Sequence, residues 1–209
     1  MLLQPGDHVL FYGDSITDAG RTASQNNNGG LGVGYAALCA AQLLARFPEW
    51  NLTFTNRGIS GNRVADLEAR LESDVLALKP NLVSVLIGIN DTWRRYDSGV
   101  ASPLEEFSDS YRRVLQTVVE RCAARLVICE PFVLPIPEDR RAWREDLDPR
   151  IGVCRDLARE FKALYLPLDG IFAAAACRQS LDYWLPDGVH TSLAGHALIA
   201  DHWVRAVTK

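Results

Sequence analysis

The sequence lacks an apolar stretch long enough to cross a membrane. A transmembrane helix needs about 18 or more consecutive apolar residues, and every apolar run in this 209-residue chain is much shorter. A secretion signal is also missing, because the polar residues 4–7 interrupt the apolar start. We therefore expect a cytoplasmic protein with no membrane partner.

Cysteine is scarce, and its spacing fits neither a disulfide framework nor a zinc site. The five cysteines are odd in number, no two have CxxC spacing, and no nearby histidine completes a zinc pattern. We expect reduced thiols, no metal and no other cofactor.

An excess of positive charge is absent as well. The net charge is −4 and the pI is about 5.6, so the chain has no general attraction for nucleic acid. A dinucleotide-binding loop is excluded too, since Tyr35 stands where the last glycine of GxGxxG would follow Gly30 and Gly32. Neither an internal repeat nor a linker is evident, and the length suits a single domain over residues 1–209.

Strand-like and helix-like segments alternate along the whole chain. This pattern predicts a three-layer α/β/α sandwich with a central parallel sheet of about five strands, a flavodoxin-like arrangement. The predicted strands are 8–12, 52–55, 81–88, 125–129 and 164–168. The predicted helices are 34–47, 64–78, 103–122, 148–163, 170–178 and 192–207.

Two details of this pattern concern helix starts and a loop. Ser102 and Pro103 predict a capped helix start. The irregular residues 131–146 are of the length typical of a functional rim loop. Their charged part, residues 138–141, could equally be a solvated surface turn, and we favour that interpretation.

The first predicted strand ends in a Gly-Asp-Ser turn that contains Ser15. Ligands bind beyond the carboxyl ends of strands in open parallel sheets, and a serine there becomes a nucleophile if a base takes its proton. Taken alone, such a turn is more often purely structural. The loop near the other end of the chain offers a base, His190, and an acid, Asp187, that could orient its ring.

Two further blocks complete an ordered set of four. Residues 56–62 read Asn-Arg-Gly-Ile-Ser-Gly-Asn, and residues 88–91 read Gly-Ile-Asn-Asp. Together with the Gly-Asp-Ser and Asp-Gly-Val-His blocks they closely resemble the SGNH hydrolase superfamily, the GDSL esterases. The resemblance implies a catalytic triad of Ser15, His190 and Asp187.

The same resemblance implies an oxyanion hole. Its donors would be the backbone N–H groups of Ser15 and Gly61 and the side-chain amide of Asn90. Gly58 is expected to serve turn geometry, and Asp14 and Asp91 to brace the loops.

The resemblance extends to bacterial intracellular acetylxylan esterases of this superfamily, which deacetylate xylo-oligosaccharides. It rests on Gly20-Arg21, the segment 31–35, Trp93-Arg94 and Ala194-Gly195-His196 beside the four blocks. It implies an acetylated sugar as substrate and a homo-oligomeric assembly. Short-chain esterase, lipase and thioesterase activities remain alternatives, as does a non-catalytic α/β binding domain.

Polar and aromatic residues expected beside Ser15 also favour a sugar over a lipid chain. We consider Asp14, Arg63 and Trp93 candidates for substrate contact. The other members of this polar set are Asp18, Arg21, residues 26–28, Arg94 and Arg95. The alternative interpretation is that several of them form salt bridges on the rim. The positions of Trp50, Trp184 and Trp203 are left open.

Overall fold

Five strands pair in parallel in one twisted sheet. The structure is a computed structural model that describes residues 1–21 and 28–209. The strands are β1 (His8–Gly13), β2 (Thr53–Gly58), β3 (Leu82–Leu86), β4 (Arg125–Cys129) and β5 (Leu164–Leu166). Their order across the sheet is β2-β1-β3-β4-β5, which confirms the predicted flavodoxin-like arrangement.

The order of the strands places a topological switch point between β1 and β3. The chain steps from β1 outward to β2 and then returns to the other side of β1 with β3. In open α/β sheets the crevice beyond the strand ends at such a point is the usual ligand site. The segments that follow β1 and β3 therefore meet where a site is expected.

Helices cover both faces of the sheet. They are α1 (Ser15–Asp18), α2 (Tyr35–Arg46), α3 (Val64–Ala69), α4 (Leu71–Asp74), α5 (Ile89–Asp97), α6 (Leu104–Cys122), α7 (Arg144–Glu160), α8 (Leu168–Ala176), α9 (Leu181–Trp184) and α10 (Leu193–Val207). Short 3-10 turns lie at Asn28–Gly30, Pro48–Trp50, Leu76–Leu78 and Glu138–Trp143. None of the helices within the described residues has the length and apolar character needed to cross a bilayer.

Alternating side chains of each strand supply two separate cores. On β1, Val9 and Phe11 pack toward α2, α8 and α10, whereas Leu10 and Tyr12 pack toward α3, α6 and α7. This alternation follows from the two-residue period of a strand. The sheet is therefore apolar on both faces, as expected for a parallel sheet between two helical layers.

Four predictions about the bounds of strands and helices were wrong in ways that matter for the site. β2 runs three residues beyond its predicted end and includes Asn56. The predicted helix 64–78 is broken at Arg70, whose guanidinium group bonds the carbonyls of Gly13 and Arg57 at the ends of β1 and β2. The stripe of apolar residues still packs inward across the break, so the period was correct and the continuity was not.

The other two corrections concern α6 and α7. The hydroxyl of Ser102 does not cap α6 and instead donates to Asp91. α7 begins at Arg144 rather than at residue 148. Buried Trp143 and Leu147 anchor the additional turn, although Pro149 cannot donate a helical hydrogen bond there.

Trp203, whose role the sequence left open, is a core residue. It is fully buried, its Nε1 donates to Ser84 Oγ at 2.9 Å, and its ring lies 5.2 Å from the ring of Phe11. Trp203 thus joins α10 to the two central strands β1 and β3.

We expect Trp203→Ala to lower the free energy of unfolding by about 3–5 kcal/mol, because it removes a large buried ring and leaves a cavity. Urea denaturation monitored by circular dichroism measures this change. Leu193→Ala, at a side chain that is 74% exposed on the same helix, is the control and should change stability by less than about 0.5 kcal/mol. Equal effects of the two substitutions would contradict the assignment of Trp203 to the core.

Candidate active site

Ser15 lies directly beyond the carboxyl end of β1, as the first residue of α1. Asp14 precedes it, and Asp14 Oδ1 accepts a hydrogen bond from the backbone N–H of Ile16 at 3.0 Å. The bond caps α1 and holds the turn that presents the serine. Ser15 itself is half-buried, so its hydroxyl is open to the surface.

His190 and Asp187 form a hydrogen-bonded chain with Ser15. The Oγ atom of Ser15 lies 3.1 Å from Nε2 of His190, and Nδ1 of the same ring lies 2.7 Å from Oδ2 of Asp187. The backbone N–H groups of Val189 and His190 donate to Oδ1 of Asp187 at 3.0 and 2.7 Å. These distances are short enough for the imidazole to accept the proton of Ser15 and for the carboxylate of Asp187 to fix the tautomer of the imidazole.

The hydrogen bonds between Asp187 and His190 shift the pKa values of these two residues in the direction that a general base requires. Burial works to raise the pKa of Asp187, but the hydrogen bonds from His190 and Val189 outweigh it and lower that pKa to about 2. The hydrogen bond to Asp187 raises the pKa of His190 above its ordinary value, against the opposing effect of burial. Asp187 therefore stays ionised and stabilises a positive charge on the ring.

Gly61 and Asn90 bring hydrogen-bond donors from β2 and β3 to the same edge. Gly61 has a φ of +83°, which favours glycine, and its N–H has no hydrogen-bond partner among the described residues. Asn90, in the first turn of α5, donates one amide N–H to the carbonyl of Asn62 at 3.0 Å. Its second amide N–H has no hydrogen-bond partner among the described residues.

Asp14 is placed to brace the turn rather than to contact a substrate. It is fully buried, and its Oδ2 atom has no hydrogen-bond partner among the described residues. Burial raises its pKa to about 7, while the N–H of Ile16 and the charge of His190 oppose that shift. Burial and the hydrogen bond to Ile16 agree with the expected bracing role of Asp14, and contact between Asp14 and a substrate stays a prediction.

Asn56 and Gly58 hold the serine turn against β2. The buried amide of Asn56 donates to the carbonyls of Thr17 and Leu31 at 2.6 and 2.9 Å, and its oxygen accepts from the N–H of Gly58 at 2.8 Å. Gly58 is not needed for turn geometry, which corrects the prediction. A Cβ atom there would lie 2.2 Å from the backbone nitrogen of Asp18, so glycine permits a close approach.

Among the other substrate-contact candidates, Arg63 and Trp93 remain available. The ring of Trp93 lies 5.6 Å from the imidazole of His190. The guanidinium group of half-buried Arg63 has no hydrogen-bond or salt-bridge partner in the described part of the chain. Arg94 and Arg95 instead form ion pairs with Asp97 and with Glu145 and Asp146, as the rim salt-bridge interpretation predicted for part of this set.

Asp18 and Arg21 are also occupied within the protein. Asp18 accepts hydrogen bonds from the hydroxyl and N–H of Ser60 and from the N–H of Arg21. Arg21 donates to the carbonyl of Gly58. Residues 26 and 27, expected in the same polar set, lie outside the described residues.

The rim segment contributes one residue that the sequence did not indicate. The guanidinium group of Arg140 lies 4.0 Å from the ring centre of Trp143 and 5.0 Å from that of Trp93. Residues 138–141 are thus only partly the solvated turn that we favoured, since Arg140 packs against the rings of Trp93 and Trp143 beside His190. Its place in a charged run carried no signal of this contact.

His196, which lies close to the base, has a structural role. Its Nδ1 atom accepts from the backbone N–H of Tyr35 at 3.2 Å. Burial and the nearby charge of His190 lower its pKa to about 4, so its ring is neutral at pH 7. The described residues contain no group of three or more His, Cys, Asp or Glu side chains arranged to hold a metal ion.

A surface-accessible serine hydrogen-bonded to an imidazole and a carboxylate, at a switch point of a parallel sheet, defines the class of α/β serine hydrolases. The chain belongs to the GDSL-like lipase/acylhydrolase family, whose sequence profile matches residues 11–198. It is accordingly an SGNH-type carboxylic ester hydrolase similar to acetylxylan esterases.

Relatives of known structure share the whole fold. An acetylxylan esterase from Geobacillus stearothermophilus is 35% identical over 99% of this chain and 96% of its own length. The crystal structure of Axe2, an acetylxylan esterase of that organism, matches with a TM-score of 0.90 and 32% identity over 100% of this chain and 97% of Axe2. A GDSL-like lipase candidate from Parabacteroides merdae matches with a TM-score of 0.93 and 35% identity over 99% and 97% of the two chains.

We expect kcat/KM for an acetate ester to rise with pH through an apparent pKa above 6.5, the ordinary value for histidine, because only the neutral ring of His190 accepts a proton. Asp187→Asn removes the carboxylate that raises this pKa. The rise should therefore move to lower pH, and the plateau should fall by about 10⁴-fold through loss of the correct tautomer. A pH–rate series on both proteins measures the shift.

Asp14, with a pKa of about 7, also titrates near neutral pH. Asp14→Asn is therefore the control, and it should retain a single rise if His190 is the titrating base. A rise that stays at the wild-type pH in Asp187→Asn would contradict the assignment of Asp187 as the orienting acid.

Proposed function

We propose that this protein is a serine esterase that removes acetyl groups from acetylated carbohydrates, with xylo-oligosaccharides as the substrate class. The observation that carries the proposal is the chain of hydrogen bonds from Ser15 through His190 to Asp187 beside the free donors of Gly61 and Asn90. A nucleophile, a base, an orienting acid and oxyanion donors are the groups that acyl transfer uses.

In the first half of the reaction, Ser15 Oγ attacks the acetyl carbonyl carbon while Nε2 of His190 accepts the hydroxyl proton. The negative charge on the carbonyl oxygen is stabilised by the N–H groups of Ser15 and Gly61 and by the amide of Asn90. The bond to the sugar oxygen then breaks, and His190 gives its proton to that oxygen. The product is a deacetylated sugar and an acetyl group bonded to Ser15.

Water completes the reaction through the same groups. His190 takes a proton from a water molecule, which attacks the acetyl-serine carbonyl, and the same donors hold the second oxyanion. Collapse releases acetate, and His190 returns the proton to Ser15 Oγ. Asp187 keeps its charge throughout and stabilises the ring while it is protonated.

A sugar substrate is supported by the surface beside the base. Trp93 presents an aromatic ring next to His190, and the guanidinium group of Arg63 has no hydrogen-bond or salt-bridge partner in the described residues. Aromatic faces pack on sugar rings, and guanidinium groups donate to hydroxyls. The full-length likeness to acetylxylan esterases from G. stearothermophilus agrees with the same substrate class.

We expect measurable hydrolysis of 4-nitrophenyl acetate, with Ser15→Ala at least about 10⁴-fold slower because the nucleophile is lost. kcat/KM should fall steeply from acetyl to butyryl to octanoyl esters, by about 1–3 kcal/mol of discrimination per methylene. Acetate release from acetylated xylo-oligosaccharides is the second measurement. It should be impaired by Trp93→Ala and little changed by Arg94→Ala, because Arg94 is paired with Asp97.

The outcomes separate the catalytic proposal from the substrate proposal. Equal rates for wild type and Ser15→Ala would exclude the triad. Comparable rates on octanoyl esters, together with no acetate release from the sugars, would favour the short-chain esterase, lipase or thioesterase alternatives. Binding of acetylated sugars without turnover would favour the non-catalytic domain.

Three expectations about the whole protein remain predictions. These are a single domain over residues 1–209, a cytoplasmic location and a homo-oligomeric assembly. The five unpaired cysteines support the cytoplasmic location. Size-exclusion chromatography with light scattering tests the assembly. We expect a mass above that of one 23.2 kDa chain, and a monomer at working concentration would contradict this.

A further inference from the structure

The donors Gly61 and Asn90 sit on two separate segments that must keep a fixed distance from each other. Gly61 lies in the connection from β2 to α3, and Asn90 lies in the first turn of α5 after β3. The two strands are not neighbours, since β1 lies between them. Backbone pairing in the sheet therefore does not set the distance between the two donors directly.

Two hydrogen bonds join these segments. The side-chain amide of Asn90 donates to the carbonyl of Asn62 at 3.0 Å, and the backbone N–H of Val64 donates to Oδ2 of Asp91 at 3.2 Å. The partners on the first segment follow Gly61 by one and three residues. The partners on the second segment are adjacent residues of α5, so the pair acts as a two-point link.

Asp91 is in turn held from behind. Its Oδ1 atom accepts from the hydroxyl of Ser102 at 3.1 Å. Arg150 of α7 donates to the carbonyl of Ser102 and, through Nε, to Thr92 Oγ1 at 3.3 Å and Asp146 Oδ2 at 3.1 Å. Asp91 and Arg150 are each only 1% exposed.

Two buried charged groups in one network carry a high desolvation cost, and such groups are retained where pairing and hydrogen bonding offset it. Burial raises the pKa of Asp91 to about 6, and the positive charge of Arg150 is the largest effect opposing that rise. Arg150 thus helps Asp91 to remain a carboxylate at neutral pH, the form that accepts bonds from both Val64 and Ser102.

We propose that Asp91 is a positioning residue, held by Ser102 and Arg150, that sets the separation of the Gly61 and Asn90 donors across the oxyanion site. Asp91 does not contact the reacting atoms and acts through the backbone of Val64 and through its neighbour Asn90. This inference rests on the proposed esterase function and adds to it the group that aligns the oxyanion donors.

The test measures Asp91→Ala, Asn90→Ala and the double variant in two ways. The first is kcat and KM on acetate esters, and the second is amide hydrogen exchange. Loss of one oxyanion donor typically lowers kcat by about 10²–10³-fold. Asp91→Ala should lower kcat by a substantial part of that factor with KM little changed, because the donors act on the transition state. The kcat of the double variant should be only slightly lower than that of Asn90→Ala, because both substitutions disable the same set of donors.

Two milder variants keep the test informative if Asp91→Ala folds poorly. Asp91→Asn retains an oxygen for the Val64 N–H and should recover most of the lost kcat, and Ser102→Ala should lower kcat less than Asp91→Ala. The matched control is Asp66→Ala. Asp66 also accepts a backbone N–H in this segment, from Arg63 at 2.8 Å, but makes no bond to α5, so kcat should stay within about twofold of wild type.

Hydrogen exchange gives a readout that does not depend on turnover. Asp91→Ala should increase amide exchange in residues 61–66 and in the first turn of α5, whereas Asp66→Ala should affect only the former. Equal kcat in Asp91→Ala and wild type, additive losses with Asn90→Ala, or unchanged exchange in α5 would overturn the proposal. Failure of the esterase function itself is recognised separately, by equal rates for wild type and Ser15→Ala.

Discussion

Because β1 pairs in parallel with β2 on one side and β3 on the other, the ends of the three strands lie at one edge of the sheet. The segments with Ser15, Gly61 and Asn90 follow these ends, so the pairing brings these three residues to the same edge of the sheet. His190 comes from near the other end of the chain, 175 residues after Ser15. The hydrogen bond between His190 and Ser15 adds the imidazole to the residues at this edge of the sheet.

Several buried polar side chains lie at that edge, and most of them hydrogen-bond one segment to another. The amide of Asn56 bonds the serine helix to β2, and Asp91 links α5 to the start of α3. A buried polar group is costly unless it is hydrogen-bonded. Asp14 departs from this rule, since one of its carboxylate oxygens is buried without a partner among the described residues, and burial raises its pKa to about 7. This carboxyl therefore changes its charge near neutral pH.

Two histidines near the site show how local environment separates a base from a structural residue. His190 is exposed, and Asp187 raises its pKa. His196 is mostly buried without a carboxylate partner, and burial lowers its pKa to about 4. The hydrogen bond to Asp187 favours the protonated form of the first ring, whereas the second ring remains neutral and accepts a backbone hydrogen bond. The identity of the residue alone did not distinguish these roles.

The sequence by itself determined the α/β/α class, the five strands and the four blocks of the site. These signals are local: alternation of strand and helix periods, and short motifs that follow strands. The period of the segment 64–78 was correct, because its apolar stripe does reach the core. The interpretation of His190 with Asp187 also needed only a spacing of three residues, and the structure places the two side chains in contact.

Only the tertiary structure decided the features that depend on contacts between distant segments. The break at Arg70, the diversion of Ser102 from a cap to Asp91, and the packing of Arg140 on Trp93 each involve a partner at least 11 residues away. Local propensity carries no information on such partners, since burial and hydrogen bonding at a site outweigh the weak preferences of a single segment. The chain therefore encodes its class and its chemistry locally, and packing sets how those groups are held in place.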